Sequence, residues 1–466
     1  MKSTSLHQLS SGLLEPERQA VPSVPLDFNW NADRHDLTPL PQQVPVEPTP
    51  QQVLRTELVS ECLRDGLHGV SSYPSQEKLI EYVQALEKLG IHHATVGIYS
   101  GEKNAIADSI KALLAQMRDI APSVTPLLLC LCTNESLKWA LECKEIHPKT
   151  EVFIFMGSAP SRRLAQGWDL DFILGKLKYF VAEAVKHGLP VIGATEHTTQ
   201  TPPDELRQLI QVQVEQGAYR FCIADTIGIA RPGGAYRITR FVQSVVSELG
   251  MGHVQIDWHG HRDMGNGLAN AMAAITAGAN RIHVVSRGVG ERAGNVPLEE
   301  VLLNFSTILD EATLSSPWHL EQLLRILSLY EAMVEVPTPE HGALGKRYNH
   351  TTLGIHTDAI LKVNLMAEKA FQERNEYMGL RLQKMARTIY SAVDPLVVGG
   401  SNSVGVSPWS GQSSVKLAHL LSGRPAASLS PETIDAILMK AKELGRELEA
   451  YELEQFFTMT AVKERV

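Results

Sequence analysis

The chain has 466 residues, of which 44% are hydrophobic and 20% charged, with a formal net charge of -9. That length buries one large α/β core with a smaller appendage, and the acidic balance argues against a general nucleic-acid or membrane-surface binder, which carries a basic face. No run reaches the ~18 apolar residues of a membrane helix, residues 1–20 lack the apolar stretch of a secretory signal, and Cys62, Cys130, Cys132, Cys143 and Cys222 show no paired zinc-type spacing, so the expectation is a cytoplasmic protein with reduced core cysteines.

Residues 1–50 hold eight of the 25 prolines and no sustained periodicity, which predicts an extended, partly disordered arm. From Val53 onward, strand-like apolar runs alternate with longer amphipathic segments, the pattern of repeated β–α units. The strands, in order, are "LRTELVSECL", "HHATVGI", "TPLLLCL", "EVFIFMG", "PVIGATE", "RFCIAD", "VQIDWHGH" and "RIHVVSR". Continuous apolar strands suit a parallel sheet buried on both faces, and eight units over roughly 250 residues match a closed (β/α)8 TIM barrel, placed at 51–312. A doubly wound open sheet is the rival. Beyond about Glu311, "LEQLLRILSLYEAMVE", "HTDAILKVNLMAEKAFQERN" and "ETIDAILMKAKELGRELEAYELEQFF" have helical periodicity between Pro- and Gly-rich connections, which predicts a mainly helical C-terminal appendage over 313–466.

In such a barrel the chemistry sits at the C-terminal ends of the strands, and the unusual residues gather there. Arg64 and Asp65 follow the first strand, Glu196 the fifth, Asp225 and Thr226 the sixth; His259 and His261 end the seventh, and "GVGERAGN" follows the eighth. Side chains alternate along a strand, so His259 and His261 point the same way. With Asp65 from another strand they form a two-histidine, one-carboxylate set that leaves coordination positions open and suits Mn²⁺, Zn²⁺, Co²⁺ or Mg²⁺. Asp263, next in "WHGHRDMGNG", is read as shaping the loop. Arg64 is either a structural ion-pair partner or a cation that stabilises a developing alkoxide or holds a carboxylate; its place beside Asp65 favours the second role. Glu196 reads equally as a helix cap or a catalytic carboxylate.

"CLRDG", "GATEHTTQTPPDEL", "IADTIGIA", "HGHRDMGNGLANAMAAITAGA" and "SRGVGERAGNVPLEEVL" together give the chain a resemblance to the metal-dependent TIM-barrel acyl-CoA Claisen synthases, the family of 2-isopropylmalate, homocitrate and citramalate synthases. It covers about residues 54–310 and extends weakly through 348–416. The resemblance implies a divalent metal held by Asp65, His259 and His261, with Asn295 at or near its shell. It also implies condensation of acetyl-CoA with a 2-oxo acid, followed by thioester hydrolysis to a 2-substituted malate. Arg64 would stabilise the alkoxide, Thr226 would bind the 2-oxo acid carboxylate, and Glu196 would be catalytic. "TTLGIHTDAILK" and "IYSAVDPLVVGG" resemble the segments that supply a catalytic histidine and tyrosine, here His356 and Tyr390, to a neighbouring subunit's barrel, so a homodimer is expected.

The departures from that family fall mainly where the substrate side chain is read. Leu67 and His68 stand where a glutamine is common, Thr95 where a glutamate is usual, Val152 where many relatives have a histidine, and Gln412 where lysine is frequent. The chain also stops at Val466, before the point where a leucine-sensing regulatory domain would lie, so feedback by that route is not expected. The alternative reading is a carbon–carbon lyase of the hydroxymethylglutaryl-CoA lyase type; the absence of a cysteine from "GVGERAGN" and the presence of His356 and Tyr390 speak against it.

Overall fold

The structure, a computed structural model, describes residues 28, 30, 31, 47–68, 70–99, 101 and 104–463. It divides into two compact units: Met1–His68, His93–Arg118 and Thr125–Val296 form the first, and Gly69–His92, Asp119–Val124 and Pro297–Val466 the second.

Eight strands make the frame of the first unit: β1 (Glu57–Ser60), β2 (His93–Ile98), β3 (Thr125–Leu131), β4 (Glu151–Gly157), β5 (Val191–Glu196), β6 (Arg220–Asp225), β7 (Gln255–Gly260) and β8 (Arg281–Val284). All pair in parallel in chain order, and β8 closes on β1 from Glu57↔Arg281 to Ser60↔Val284. This is the TIM barrel that the sequence predicts, and closure excludes the open sheet. Each apolar run contains one strand, and a helix follows every strand in the chain. Val59, Leu127, Phe153, Ile192, Ala194 and Cys222 pack as one buried cluster drawn from five strands.

The apolar pattern conceals a second, charged core. Glu57, His93, Glu151, Arg220 and Arg281 are the first residues of β1, β2, β4, β6 and β8. Arg220 pairs with Asp257 (2.9 Å) and Glu57 (2.6 Å), and Arg281 with Glu57 (2.9 Å) and Glu151 (3.4 Å). Burial works against the charge of Asp257, but Arg281 and Arg220 outweigh it and hold the carboxyl well below the usual range. Ion pairs thus plug the N-terminal end of the barrel, leaving the opposite end for a site.

Part of the proline-rich arm is ordered against this unit. Trp30 is buried, its indole N–H donates to Thr201 O (3.0 Å), and its ring lies 5.0 Å from that of Phe241. Asn31 donates to Ile229 O (2.8 Å) and accepts from the Arg231 N–H (2.7 Å). Gly234 permits this approach, since a Cβ there would lie 2.6 Å from Asn31 Oδ1. The rest of the predicted arm, apart from Phe28 and residues 47–50, lies outside the described residues.

In the second unit, helices Gln76–Leu89 and Leu323–Val334 pack together, with Tyr82 and Tyr330 rings 5.7 Å apart. A hairpin of helices Gly354–Gln372 and Glu376–Thr388 turns at Arg374 and is capped by Asn375. Two short parallel strands, β9 (His350–Thr351) and β10 (Ser403–Val404), pair beside helix Gln412–Leu421. The last predicted helical stretch is two helices, Pro431–Leu444 and Ala450–Lys463, because Gly445 takes a left-handed conformation that ends the first. All five cysteines are buried, and none is in a disulfide. Among the described residues no helix is long and apolar enough to cross a membrane.

Candidate metal centre at the barrel mouth

Strand β1 ends in a tight turn. Arg64 lies outside the regular backbone regions (φ -132°, ψ -78°), and the 3₁₀ turn Asp65–Leu67 that follows buries the Asp65 carboxylate. Across the barrel, β7 delivers His259, and the next residues reverse so that His261 bridges to Asn295 in the loop after β8. That loop is tightly folded: Gly294 has φ +94°, and a Cβ there would lie 1.9 Å from Gly288 O.

These turns bring Asp65, His259 and His261 together. Asp65 Oδ2 lies 3.3 Å from His259 Nε2 and 3.6 Å from His261 Nε2, and one donor atom from each of the three residues lies within 4.8 Å of the others. Among the described residues, His261 Nδ1 and Asn295 Oδ1 are buried without hydrogen-bond partners, and Asp65 Oδ1 has His68 Nδ1 at 3.5 Å. Orphaned donors and acceptors of this kind are rare in a folded core unless something else satisfies them. Burial and the neighbouring His259 push His261 down to about 4, so at neutral pH it is an uncharged lone-pair donor. Burial disfavours the Asp65 charge, yet Arg64 and the hydrogen bond with His259 keep the carboxyl well below its ordinary range. Two imidazoles, with His261 uncharged at neutral pH, and a carboxylate fit a divalent cation with positions left open.

A second set, Glu61, His259 and His283, also has the right spacing. It is the poorer holder. Glu61 Oε1 already accepts from Thr95 Oγ1 (2.8 Å) and His283 Nδ1 (2.8 Å), while Oε2 takes the Arg64 Nε and Nη2 groups (3.0 and 2.7 Å). Burial raises the Glu61 pKa, but Arg64 and His283 more than reverse this and bring it to about 2.

Arg64, Glu196 and Thr226 line the same cavity, about 260 Å³ in volume, whose described lining residues all belong to the first unit. Arg64 Nη1 lies 3.0 Å from Asp65 Oδ2. Glu196 ends β5 with Arg162 Nε at 3.4 Å and His197 Nδ1 at 3.5 Å. Thr226 Oγ1 accepts the His197 N–H (2.8 Å), which leaves its own hydroxyl proton to donate. Asp225 turns away to shape the loop, accepting from Thr199 Oγ1 (2.8 Å) and the Ile229 and Ala230 N–H groups. Asp263 likewise serves the loops, pairing with Arg292 at 2.8 Å. One expectation needs correction: Val152 is not the pocket residue of β4. The alternation of the strand presents Phe153 and Phe155 instead, and with Ile98, Leu129 and Ala194 they form an apolar wall opposite the charged groups.

His356 and Tyr390 lie in the second unit, where they meet each other: their rings stack at 4.1 Å. Sequence reasoning missed Glu61 and His283. The available signal was an acid and a histidine inside otherwise apolar runs, "LVSECL" and "RIHVV".

A closed eight-stranded barrel carrying such a donor set at the C-terminal ends of its strands defines a TIM-barrel protein with a candidate cation centre. The model of the HMGL-like family matches residues 55–329, more than half of the chain, and the protein belongs to that family. Curated relatives include the 2-isopropylmalate synthase of Sediminispirochaeta smaragdinae, 26% identical over 316 residues, which cover 66% of this chain and 60% of that protein. A probable 2-isopropylmalate synthase of Methanopyrus kandleri is 29% identical over 395 residues, covering 84% and 70%. The chain thus spans about 60% of the length of the first of these relatives. Among solved structures, hydroxymethylglutaryl-CoA lyase from Pseudomonas aeruginosa superposes with a TM-score of 0.51 at 21% identity, over 60% of this chain and 93% of that one, a likeness of fold.

Proposed function

We propose that the protein is an acyltransferase that condenses acetyl-CoA with a 2-oxo acid and hydrolyses the thioester, releasing a 2-substituted malate and CoA. The observation that carries this reading is the convergence of Asp65, His259 and His261 on one point with the Arg64 guanidinium beside it. Asp65, His259 and His261 would hold a divalent cation, with the amide oxygen of Asn295 at its edge. When bound, such a cation acts as a Lewis acid toward the keto and carboxylate oxygens of the 2-oxo acid.

The chain's own residues do the rest. The free hydroxyl proton of Thr226 donates to the substrate carboxylate. Arg64 presents N–H groups to the oxygen that becomes an alkoxide as the new carbon–carbon bond forms. Glu196, which lines the cavity, would take a proton from the acetyl methyl. His356 and Tyr390 act from a second copy of the chain in a homodimer. Ile355, Tyr377 and Leu380 on the helical hairpin are exposed apolar side chains that such an assembly would cover.

The test is release of free CoA thiol from acetyl-CoA with Mn²⁺ or Mg²⁺ and a panel of 2-oxo acids: 2-oxoisovalerate, 2-oxoglutarate, pyruvate, phenylpyruvate and phosphonopyruvate. Thiol release with one of them supports the reading. Silence across the panel, with cleavage of hydroxymethylglutaryl-CoA in its place, overturns it in favour of a lyase.

A further inference from the structure

Glu61 is fully buried at the end of β1 and uses its whole carboxylate inside the barrel. Oε1 accepts from Thr95 of β2 and His283 of β8, each at 2.8 Å. An ionised carboxylate only accepts, so the His283 proton sits on Nδ1. Oε2 receives two donors from one edge of the Arg64 guanidinium, Nε at 3.0 Å and Nη2 at 2.7 Å. On the far side of the guanidinium, Nη1 reaches Asp65 Oδ2 at 3.0 Å. Of the five N–H bonds of an arginine, Glu61 and Asp65 take three and two remain for a ligand in the cavity that Arg64 lines.

We infer that Glu61, braced by Thr95 and His283, is a positioning residue: it fixes the plane of the Arg64 guanidinium and keeps it from closing on both oxygens of Asp65. Without this carboxylate, the nearest acceptor for the freed Nε and Nη2 edge is Asp65 itself, because Arg–carboxylate pairs favour the two-bonded fork. Arg64 would then compete with a cation for Asp65 and turn its N–H groups from the substrate oxygen. The brace is rigid because Glu61 directly follows β1 while Thr95 and His283 lie on the two strands hydrogen-bonded in register to it, Val59↔His93 on one side and Val59↔His283 on the other. The catalytic consequence rests on the synthase reading above; the placement of Arg64 does not.

The experiment uses the full chain with E61Q, E61D and, as a milder lesion, T95V, which removes one bond to Glu61. The first readout is the rate at which phenylglyoxal modifies Arg64, followed by peptide mass spectrometry, with Arg220 and Arg281 as internal controls and thermal melting to certify folding. Freed from its charge-assisted pair with Glu61, Arg64 should be modified about tenfold faster in E61Q, with E61D near wild type and the two controls unmoved. The second readout is Mn²⁺ affinity by calorimetry, which should weaken in E61Q and recover in E61D. The third is thiol release, where E61Q should lower kcat with little change in the acetyl-CoA KM. A folded E61Q that modifies Arg64 at the wild-type rate and binds Mn²⁺ unchanged overturns the inference. If E61Q does not fold, T95V decides by the same two measurements: faster Arg64 modification supports the inference and an unchanged rate overturns it. Absence of thiol release from the wild type would count against the synthase reading alone, since the modification and Mn²⁺ measurements still decide the placement of Arg64.

Discussion

The Nε2 atom of His259 lies 3.3 Å from Oδ2 of Asp65, although one comes from the seventh strand of the barrel and the other from the turn after the first. An imidazole and a carboxylate at that separation share a bound cation far more readily than either holds one alone. Replacing His259 with alanine, or Asp65 with asparagine, should therefore weaken Mn²⁺ binding on the order of 100-fold or more, read by calorimetry. Dialysis against a chelator should abolish thiol release from the wild type, and added Mn²⁺ should restore it. Unchanged Mn²⁺ affinity in His259→Ala would move the cation elsewhere.

His356 is predicted to behave in the opposite way. His356→Ala should keep wild-type Mn²⁺ affinity and lose on the order of 10²–10⁴ in kcat, the usual range for a proton-transfer group. If the second unit serves a neighbouring barrel, mixing inactive His259→Ala and His356→Ala proteins and allowing subunits to exchange should regenerate activity, because one of the two mixed sites then carries both wild-type residues. No recovery after demonstrated exchange would confine each site to one chain.

Trp30 tests whether the arm belongs to the barrel. Its ring is almost wholly removed from solvent and its N–H is satisfied by Thr201 O. Trp30→Ala should lower unfolding free energy by about 3–5 kcal/mol, measured in urea. Because the Trp30 backbone N–H donates to Thr199 O (3.2 Å) and Thr199 Oγ1 holds Asp225, beside Thr226, the variant should raise the 2-oxo acid KM more than it lowers kcat.

The second unit should show acid sensitivity at one pair. The hydrogen bond from His350 Nε2 to Glu447 (2.6 Å), aided by Arg347 (2.8 Å), lowers the Glu447 pKa below that of an unfolded glutamate. A depressed carboxyl stabilises the fold above the unfolded value, about 4.3, and loses that contribution as pH falls through the folded one. Glu447→Gln should accordingly lower the urea midpoint at pH 7, and the gap from wild type should narrow as pH drops below about 4. A gap independent of pH would mean that packing, not charge, holds this segment.

Much of this was visible in the sequence because the barrel repeats one local rule eight times. Each apolar run flanked by an amphipathic segment became a strand, and Arg64, Asp65, Glu196, Thr226, His259 and His261 were found by asking what lies at strand ends. Features that depend on partners across the barrel were not visible. Thr95 stands where a glutamate is usual, and the structure places Glu61 against its hydroxyl; Arg281 opens the run "RIHVVSR" with no sign in the sequence that it is buried among Glu57, Glu151 and Asp257. No periodicity announces a side-chain pair between distant strands. The split at Gly445 was missed for a different reason: helical spacing on both sides outweighed one residue whose backbone freedom ends the helix.

The ion pairs at the N-terminal end of the barrel carry a consequence for folding. A strand that slides by two residues keeps every inward side chain inward, so apolar packing barely registers the error. A slid β6 or β8 would instead strand Arg220 or Arg281 away from Glu57, an uncompensated buried charge of the costliest kind. These pairs thus act as a proofreading device for barrel closure, rejecting near-miss alignments that oil-like contacts would accept, and so secure the alignment on which the opposite end relies to bring Asp65 to His259.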